Sequence, residues 1–174
     1  VGRTGVWFGY QNYGIKPDIV TMAKGVASGY AAISCCVTTE AVFDMFKEDA
    51  SDHLGYFRDI STFGGCTAGP AAALENMRII EDEDLLANTL VMGDRMVANL
   101  WALAEKYPQI GDVRGKGLLT AFELVSDHET MEPLPAEAAA YSRLVDIAYD
   151  LGLIIYSRRS RDGLKGDHFL VCPP

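Results

Sequence analysis

The sequence predicts an α/β fold, and three observations carry that reading. Short apolar runs bounded by proline and glycine have the length and flanks of strands. Longer stretches repeat apolar residues at helical spacing. Through the second half of the 174 residues the two kinds alternate, strand then helix then strand.

The opening "VGRTGVWFGYQNYGIKP" is rich in glycine and aromatics and reads as loop. "DIVTMA" follows, an apolar run between Pro17 and Gly25, short enough to be a strand buried on both faces. "AAISCCVTT" is a second such strand, and "EAVFDMF" a short amphipathic helix with Val42, Phe43 and Phe46 on one side. The segment "KEDASDHLGYFRDISTFGGCTAG" is a long irregular loop of the kind that often carries function. Thr67 or Gly69 then caps a helix whose first turn holds Pro70 and whose body is "AAALENMRII". The acidic run Glu81 to Asp84 suits the positive end of another helix. That helix is long, because Leu85, Met92, Met96, Leu100 and Leu103 recur at helical spacing until Pro108 stops it. "GLLTAFELV" alternates as a strand does. "PAEAAAYSRLVDIAYD" is a helix with Leu144, Ile147 and Ala148 inward and Gly152 as its stop. "LIIYS" and "HFLVC" are strands joined by the polar loop "RRSRDGLKGD". Two consecutive helices near Asp82 mark a boundary, giving domains 1–82 and 83–174.

Composition bounds the function. The net charge of -9 argues against a nucleic-acid partner, which needs clustered Lys and Arg. No apolar run approaches the ~20 residues of a membrane span. Cys35, Cys36, Cys66 and Cys172 form no CxxC pair and read as small buried hydrophobes in a reducing cytoplasm. His53, His128 and His168 are scattered, so neither a metal site nor a histidine-based triad is expected. The chain lacks an initiator Met, opens inside a turn and stops after an apolar run, which reads as an internal piece of a longer protein.

The sharpest feature is "PDIVTMAKGVASGY", an apolar strand that runs into Lys24. Two readings are open. The strand has simply ended in solvent, or Lys24 is a Schiff-base lysine, held rigidly and partly desolvated so that its amine is both nucleophile and base. Gly25, Ser28 and Gly29 would let backbone pass close to a bulky ring. Composition does not choose between them.

The ordered set "GRTG", "KPDIVTMAKGVASGY", "STFGGCTAGPAAALENMRIIE", "VRGKGLLTAFELV" and "CPP" resembles the class III pyridoxal-phosphate aminotransferases, which include the ω-amino-acid and taurine transaminases. The resemblance covers essentially the whole chain. It implies part of a fold type I large domain followed by most of the small C-terminal α/β domain. Lys24 would bind pyridoxal 5'-phosphate covalently and move the proton at the substrate carbon. Thr62, flanked by Phe63 and Gly64, would bind the phosphate of the neighbouring subunit's cofactor in a homodimer; read alone, it is equally a threonine satisfying a local turn. Arg3 and Thr4 would lie just beyond the strand that carries the acidic partner of the pyridine nitrogen, and their reading is structural.

Some family parts fall outside the chain: that acidic residue, the glycine-serine phosphate loop and the ring that stacks on the cofactor. The 174 residues alone are therefore expected to be inactive. Where relatives place an arginine that grips the substrate carboxylate, Tyr156 stands, and Arg158, Arg159 and Arg161 follow it. They suit a carboxylate or sulfonate, or are the basic residues of a solvated loop. Ala32 stands where relatives often carry Pro. The wording around "FRDISTFGG" looks most like the branch that uses taurine and pyruvate. An amine donor and a keto-acid acceptor are the implied substrates. β-Alanine or 4-aminobutyrate as donor, aminomutase chemistry, and a non-catalytic α/β binding module are the competing readings.

Overall fold

In a computed structural model, residues 1–47, 51, 56–159 and 166–174 are described. The chain divides into two units. Val1 with Gly9–Asp84 forms the first, and Gly2–Phe8 with Leu85–Pro174 forms the second. No helix among the described residues is long and apolar enough to cross a membrane.

The first unit holds a two-stranded antiparallel ribbon of β1 (Ile19–Ala23) and β2 (Ser34–Thr38), in register from Ile19 opposite Thr38 to Ala23 opposite Ser34. Among the described residues the two strands are not buried on both faces, as was expected of them. Val20, Met22 and Cys35 are half-buried on one side, while Ile19 and Val37 remain 54% and 51% exposed. Ile19 lies on the face left open among the described residues, and Val37, opposite Val20, is exposed on the other, so the apolar composition outruns the burial. Helix α1 (Glu40–Asp44) stops short of Phe46. Phe43 and Phe46 are exposed and only Val42 is half-buried, so the expected apolar side is incomplete.

Helix α2 (Ala68–Asp82) begins after Thr67, whose side chain makes no capping bond. Pro70 sits in the first turn, where its missing N–H costs nothing. The helix buries the stripe Gly69, Ala72, Ala73, Asn76, Met77 and Ile80, wholly or in part, at spacings of three and four. Val26, Ala27 and Ala73 form the core of this unit, with Met22, Ile33 and Met77 against it. Glu81 and Asp82 belong to the last turn of α2, not to the helix that follows. Arg78 offsets part of that acidic end by pairing with Asp82 at 2.9 Å.

The second unit is one helix-covered antiparallel sheet. Helix α3 (Leu85–Lys106) leads into β3 (Ile110–Lys116), β4 (Leu119–Asp127) and the two-residue β5 (Glu132–Pro133). Helix α4 (Ala140–Asp150), β6 (Tyr156–Arg159) and β7 (Asp167–Val171) complete it. The strand order is β3-β4-β7-β6, with β5 on β4. The core is Ile110, Val113, Phe122 and Phe169, covered by Leu100 and Ala104 of α3 and Leu144 and Val145 of α4. Phe122 and Phe169 lie opposite one another in register and stack at 4.9 Å. By strand alternation Glu123, His168 and Arg158 occupy the other face, where Arg114 pairs with Asp112 and with Glu123, the latter at 3.0 Å.

Helix α4 starts later than its sequence suggests. A 3-10 turn at Ala136–Ala138 and a left-handed Ala139 (φ 45) precede it. Its covered stripe is Tyr141, Leu144, Val145 and Ala148, whereas the expected Ile147 is 53% exposed. Gly152 stops it as expected: at φ 85 it donates to the Tyr149 carbonyl while Leu153 donates to that of Ala148.

Candidate active site

The candidate site is built on the exit of β1. Ala23 is extended, with φ -157 and ψ -168, and Lys24 then turns into the left-handed region at φ 53. An L-residue there costs roughly 1–2 kcal/mol and persists only where its surroundings hold it. Behind it a 3-10 turn, Lys24–Ala27, buries Val26 and Ala27 to 1% exposure each. Asn76 of α2 donates from Nδ2 to the carbonyls of Gly25 and Val26, both at 3.1 Å. The lysine is exposed, not desolvated, since no described residue covers that end of the ribbon. Among the described residues its amine makes no hydrogen bond or ion pair, so the group is available and its base is rigid.

Thr62 sits in a loop ordered from within. Asp59 Oδ1 accepts from the Ser61 backbone N–H at 2.8 Å and from the Ser61 hydroxyl at 2.5 Å. The Gly64 N–H then donates to the Ser61 carbonyl at 2.9 Å, closing a turn with Thr62 at its second position. A Cβ at Gly64 would lie 3.0 Å from that carbonyl, so glycine permits the close return. The Thr62 hydroxyl and N–H are both unengaged among the described residues and both exposed. The Ser61 hydroxyl, then its N–H, hold the Asp59 carboxyl below its ordinary value. The turn is therefore secured above the usual carboxylate range and released as pH falls through the lowered value. An NMR titration should give Asp59 a midpoint below that of an ordinary aspartate, with the Ser61 N–H following it. Ser61→Ala should return the midpoint upward; an ordinary midpoint in the unaltered protein would contradict the turn.

Tyr156 and Arg158 lie two apart on β6 and share a face of the sheet. Arg158 was expected in a loop, but β6 extends to Arg159, with Arg158 opposite His168 and Arg159 opposite Asp167. The Arg158 guanidinium lies 5.0 Å from the centre of the Tyr156 ring. It makes no ion pair among the described residues, so its planar edge remains available. Arg161 and His53 lie outside the described residues. Arg3 donates to the Leu118 carbonyl at 2.5 Å and its own carbonyl accepts from the Leu118 N–H at 2.9 Å, which secures Gly2–Phe8 within the second unit. Cys35 is half-buried and the other three cysteines are exposed thiols, contrary to the buried hydrophobes expected of them. Cys36, for one, lies on the side of the ribbon that no described residue covers.

Lys24, Thr62 and Asn76 thus belong to the first unit, and Tyr156 and Arg158 to the second. Among the described residues no hydrogen bond joins Thr62 to the Lys24 turn. Sequence reasoning passed over Asn76 and Asp59. The signal for Asn76 was present: it is the one carboxamide in the apolar stripe of α2.

The chain belongs to the aminotransferase class-III family, which it matches over residues 1–161. It is 65% identical over 165 residues to the taurine–pyruvate aminotransferase of Rhodobacter capsulatus, covering 95% of this chain and 36% of that protein. A solved aminotransferase of Bacillus anthracis superposes with a TM-score of 0.88 at 39% identity, over 99% of this chain and 38% of that one. The taurine:2-oxoglutarate aminotransferase of Bifidobacterium kashiwanohense, solved with pyridoxal phosphate and glutamate, gives 0.81 at 29% identity, over 99% and 36%. The mixed α/β fold is that of these aminotransferases, and the chain spans a little over a third of their length. The residues present fit the cofactor that the family implies. Among the described residues Lys24 offers an unspent amine on a held backbone, and Thr62 an unspent hydroxyl and N–H, the donors a phosphate takes.

Proposed function

We propose that the protein carrying this chain is a pyridoxal-phosphate-dependent transaminase that moves the amino group of taurine to pyruvate, yielding sulfoacetaldehyde and alanine. The observation that carries the reading is Lys24, a strained lysine at a strand end whose amine has no partner among the described residues. The relative at 65% identity, a taurine–pyruvate aminotransferase, supports the choice of substrates. When bound, the cofactor supplies the electron sink that makes the carbon beside the amine acidic. Lys24 would hold it through Nζ, and the same amine would take and return the proton at that carbon. Thr62 grips the phosphate through its hydroxyl and N–H. Ile60 and Phe63, both largely exposed beside Thr62, support a second copy of the chain as the surface that covers this loop. Four free thiols favour a reducing, cytoplasmic setting.

Arg158 is the group for the sulfonate, with Tyr156 beneath it. An arginine already laid on a ring loses little freedom when it binds an anion. Arg158→Gln should raise KM for taurine about tenfold while leaving an uncharged amine nearly unaffected, as loss of one charged hydrogen-bonded contact predicts. Equal effects on both amines would remove Arg158 from the site.

The experiment for the function uses the full-length protein with pyridoxal phosphate and pyruvate, offered taurine, β-alanine or 4-aminobutyrate. Alanine should form fastest from taurine, with parallel double-reciprocal plots, because each half-reaction leaves the enzyme in a different state. A clear preference for β-alanine or 4-aminobutyrate would reassign the donor. Rearranged amine without alanine would indicate a mutase. No turnover of any amine, with cofactor label spread over many lysines, would indicate a binding module.

A further inference from the structure

Lys24 holds a backbone conformation that an L-residue leaves unless something prevents it. Two restraints act on the turn behind it. One is burial: Val26 and Ala27 lie under Ala73 and fix the far end of the turn. The other is Asn76, whose amide reaches back across 51 and 50 positions to the Gly25 and Val26 carbonyls. Gly25 itself is held by little else. Among the described residues a Cβ there would meet only the Val1 nitrogen, at 4.0 Å. Its carbonyl accepts from the Ser28 N–H at 3.3 Å, a bond within the turn that ties it to nothing outside. Among the described residues Asn76 is the only side chain that hydrogen-bonds to the turn.

We propose that Asn76 is a positioning residue for Lys24: by holding the two carbonyls that follow the lysine, it fixes the direction in which the Lys24 side chain leaves the backbone. This rests on the reading of Lys24 as the covalent anchor. The chemistry selects the residue type. Two acceptors lie against one amide nitrogen that carries two N–H groups, so each carbonyl takes one. Aspartate has the same shape and no donor, and leucine has the volume and neither. The helix is what makes the restraint stiff. Asn76 projects from the middle of α2, between Ala73 and Ile80, both buried. A lysine free to relax would lose the alignment on which proton transfer depends, and small misplacements of a reacting group are costly.

The test uses the full-length protein loaded with pyridoxal phosphate. Asn76→Leu and Asn76→Ser are compared with Ala71→Gly, which weakens α2 at an exposed position away from the turn. Both Asn76 variants should lower kcat about tenfold, leave KM for the amine within about twofold, and move the pH midpoint of the bound cofactor's absorbance. Ala71→Gly should lower the unfolding temperature and change neither kcat nor the midpoint. Asn76→Ser carries the comparison if Asn76→Leu does not fold. Asn76 variants that behave as Ala71→Gly does, while Lys24→Ala is inactive, overturn this inference alone. Normal turnover by Lys24→Ala overturns the reading beneath it.

Discussion

On the proposed function, Lys24→Ala should lower turnover of the full-length protein by at least about a thousandfold, since it would remove both the covalent anchor and the base at the reacting carbon. Charge is not the issue, so Lys24→Arg should be equally inactive: guanidinium stays protonated and does not act as a nucleophile. The backbone adds a second expectation that runs the other way. At φ 53 lysine is strained, alanine in its place is equally strained, and glycine is not. Lys24→Gly should therefore be inactive and, with both proteins free of cofactor, more stable than the unaltered protein by about 1 kcal/mol in denaturant unfolding. A lysine that merely ended a strand would give the stability gain without the loss of activity. If Lys24→Gly gains no stability, the strain is not there, and the fold does not hold this residue against its preference.

What could be read from the sequence was whatever a short stretch decides by itself. Lys24, the helix after Thr67, the long helix ending before Pro108 and the stop at Gly152 are all set by local spacing or local chemistry. β3 was not legible, because "IGDVRGK" breaks its alternation with glycine and charge. It becomes a strand by pairing with β4, a decision made elsewhere in the chain. The same holds for "PAEAAA", whose alanines favour a helix yet give a 3-10 turn and a left-handed Ala139. Burial was the least legible. "DIVTMA" has the composition of a covered strand, but whether a face is covered depends on what packs there. For the candidate site, the motif displayed the lysine, and the restraint on it was visible only as an asparagine in the wrong stripe.

Gly93→Ala should destabilise the protein by about 2 kcal/mol, against the sign that helix propensity alone would give. Gly93 lies well inside α3, where alanine is better than glycine by about 1 kcal/mol. The surroundings reverse this. A Cβ at Gly93 would lie 2.5 Å from the Gly117 Cα, 2.5 Å from its oxygen and 2.6 Å from its carbonyl carbon. These are backbone atoms of the turn between β3 and β4, so no side chain can swing aside, and overpacking of this kind costs about 1–3 kcal/mol or more. The turn has no room to retreat. Gly117 is itself left-handed at φ 58, and a Cβ there would lie 2.6 Å from the Arg3 carbonyl and 2.9 Å from the Thr89 side chain. Helix, turn and the Gly2–Phe8 segment therefore stack backbone on backbone, and the hydrogen bonds between Arg3 and Leu118 close the stack. Ala98→Gly, on the exposed side of the same helix, is the control and should lose about 1 kcal/mol by propensity alone. Equilibrium unfolding of the full-length variants decides the matter. A Gly93→Ala protein at least as stable as the original would mean that α3 does not rest on this turn.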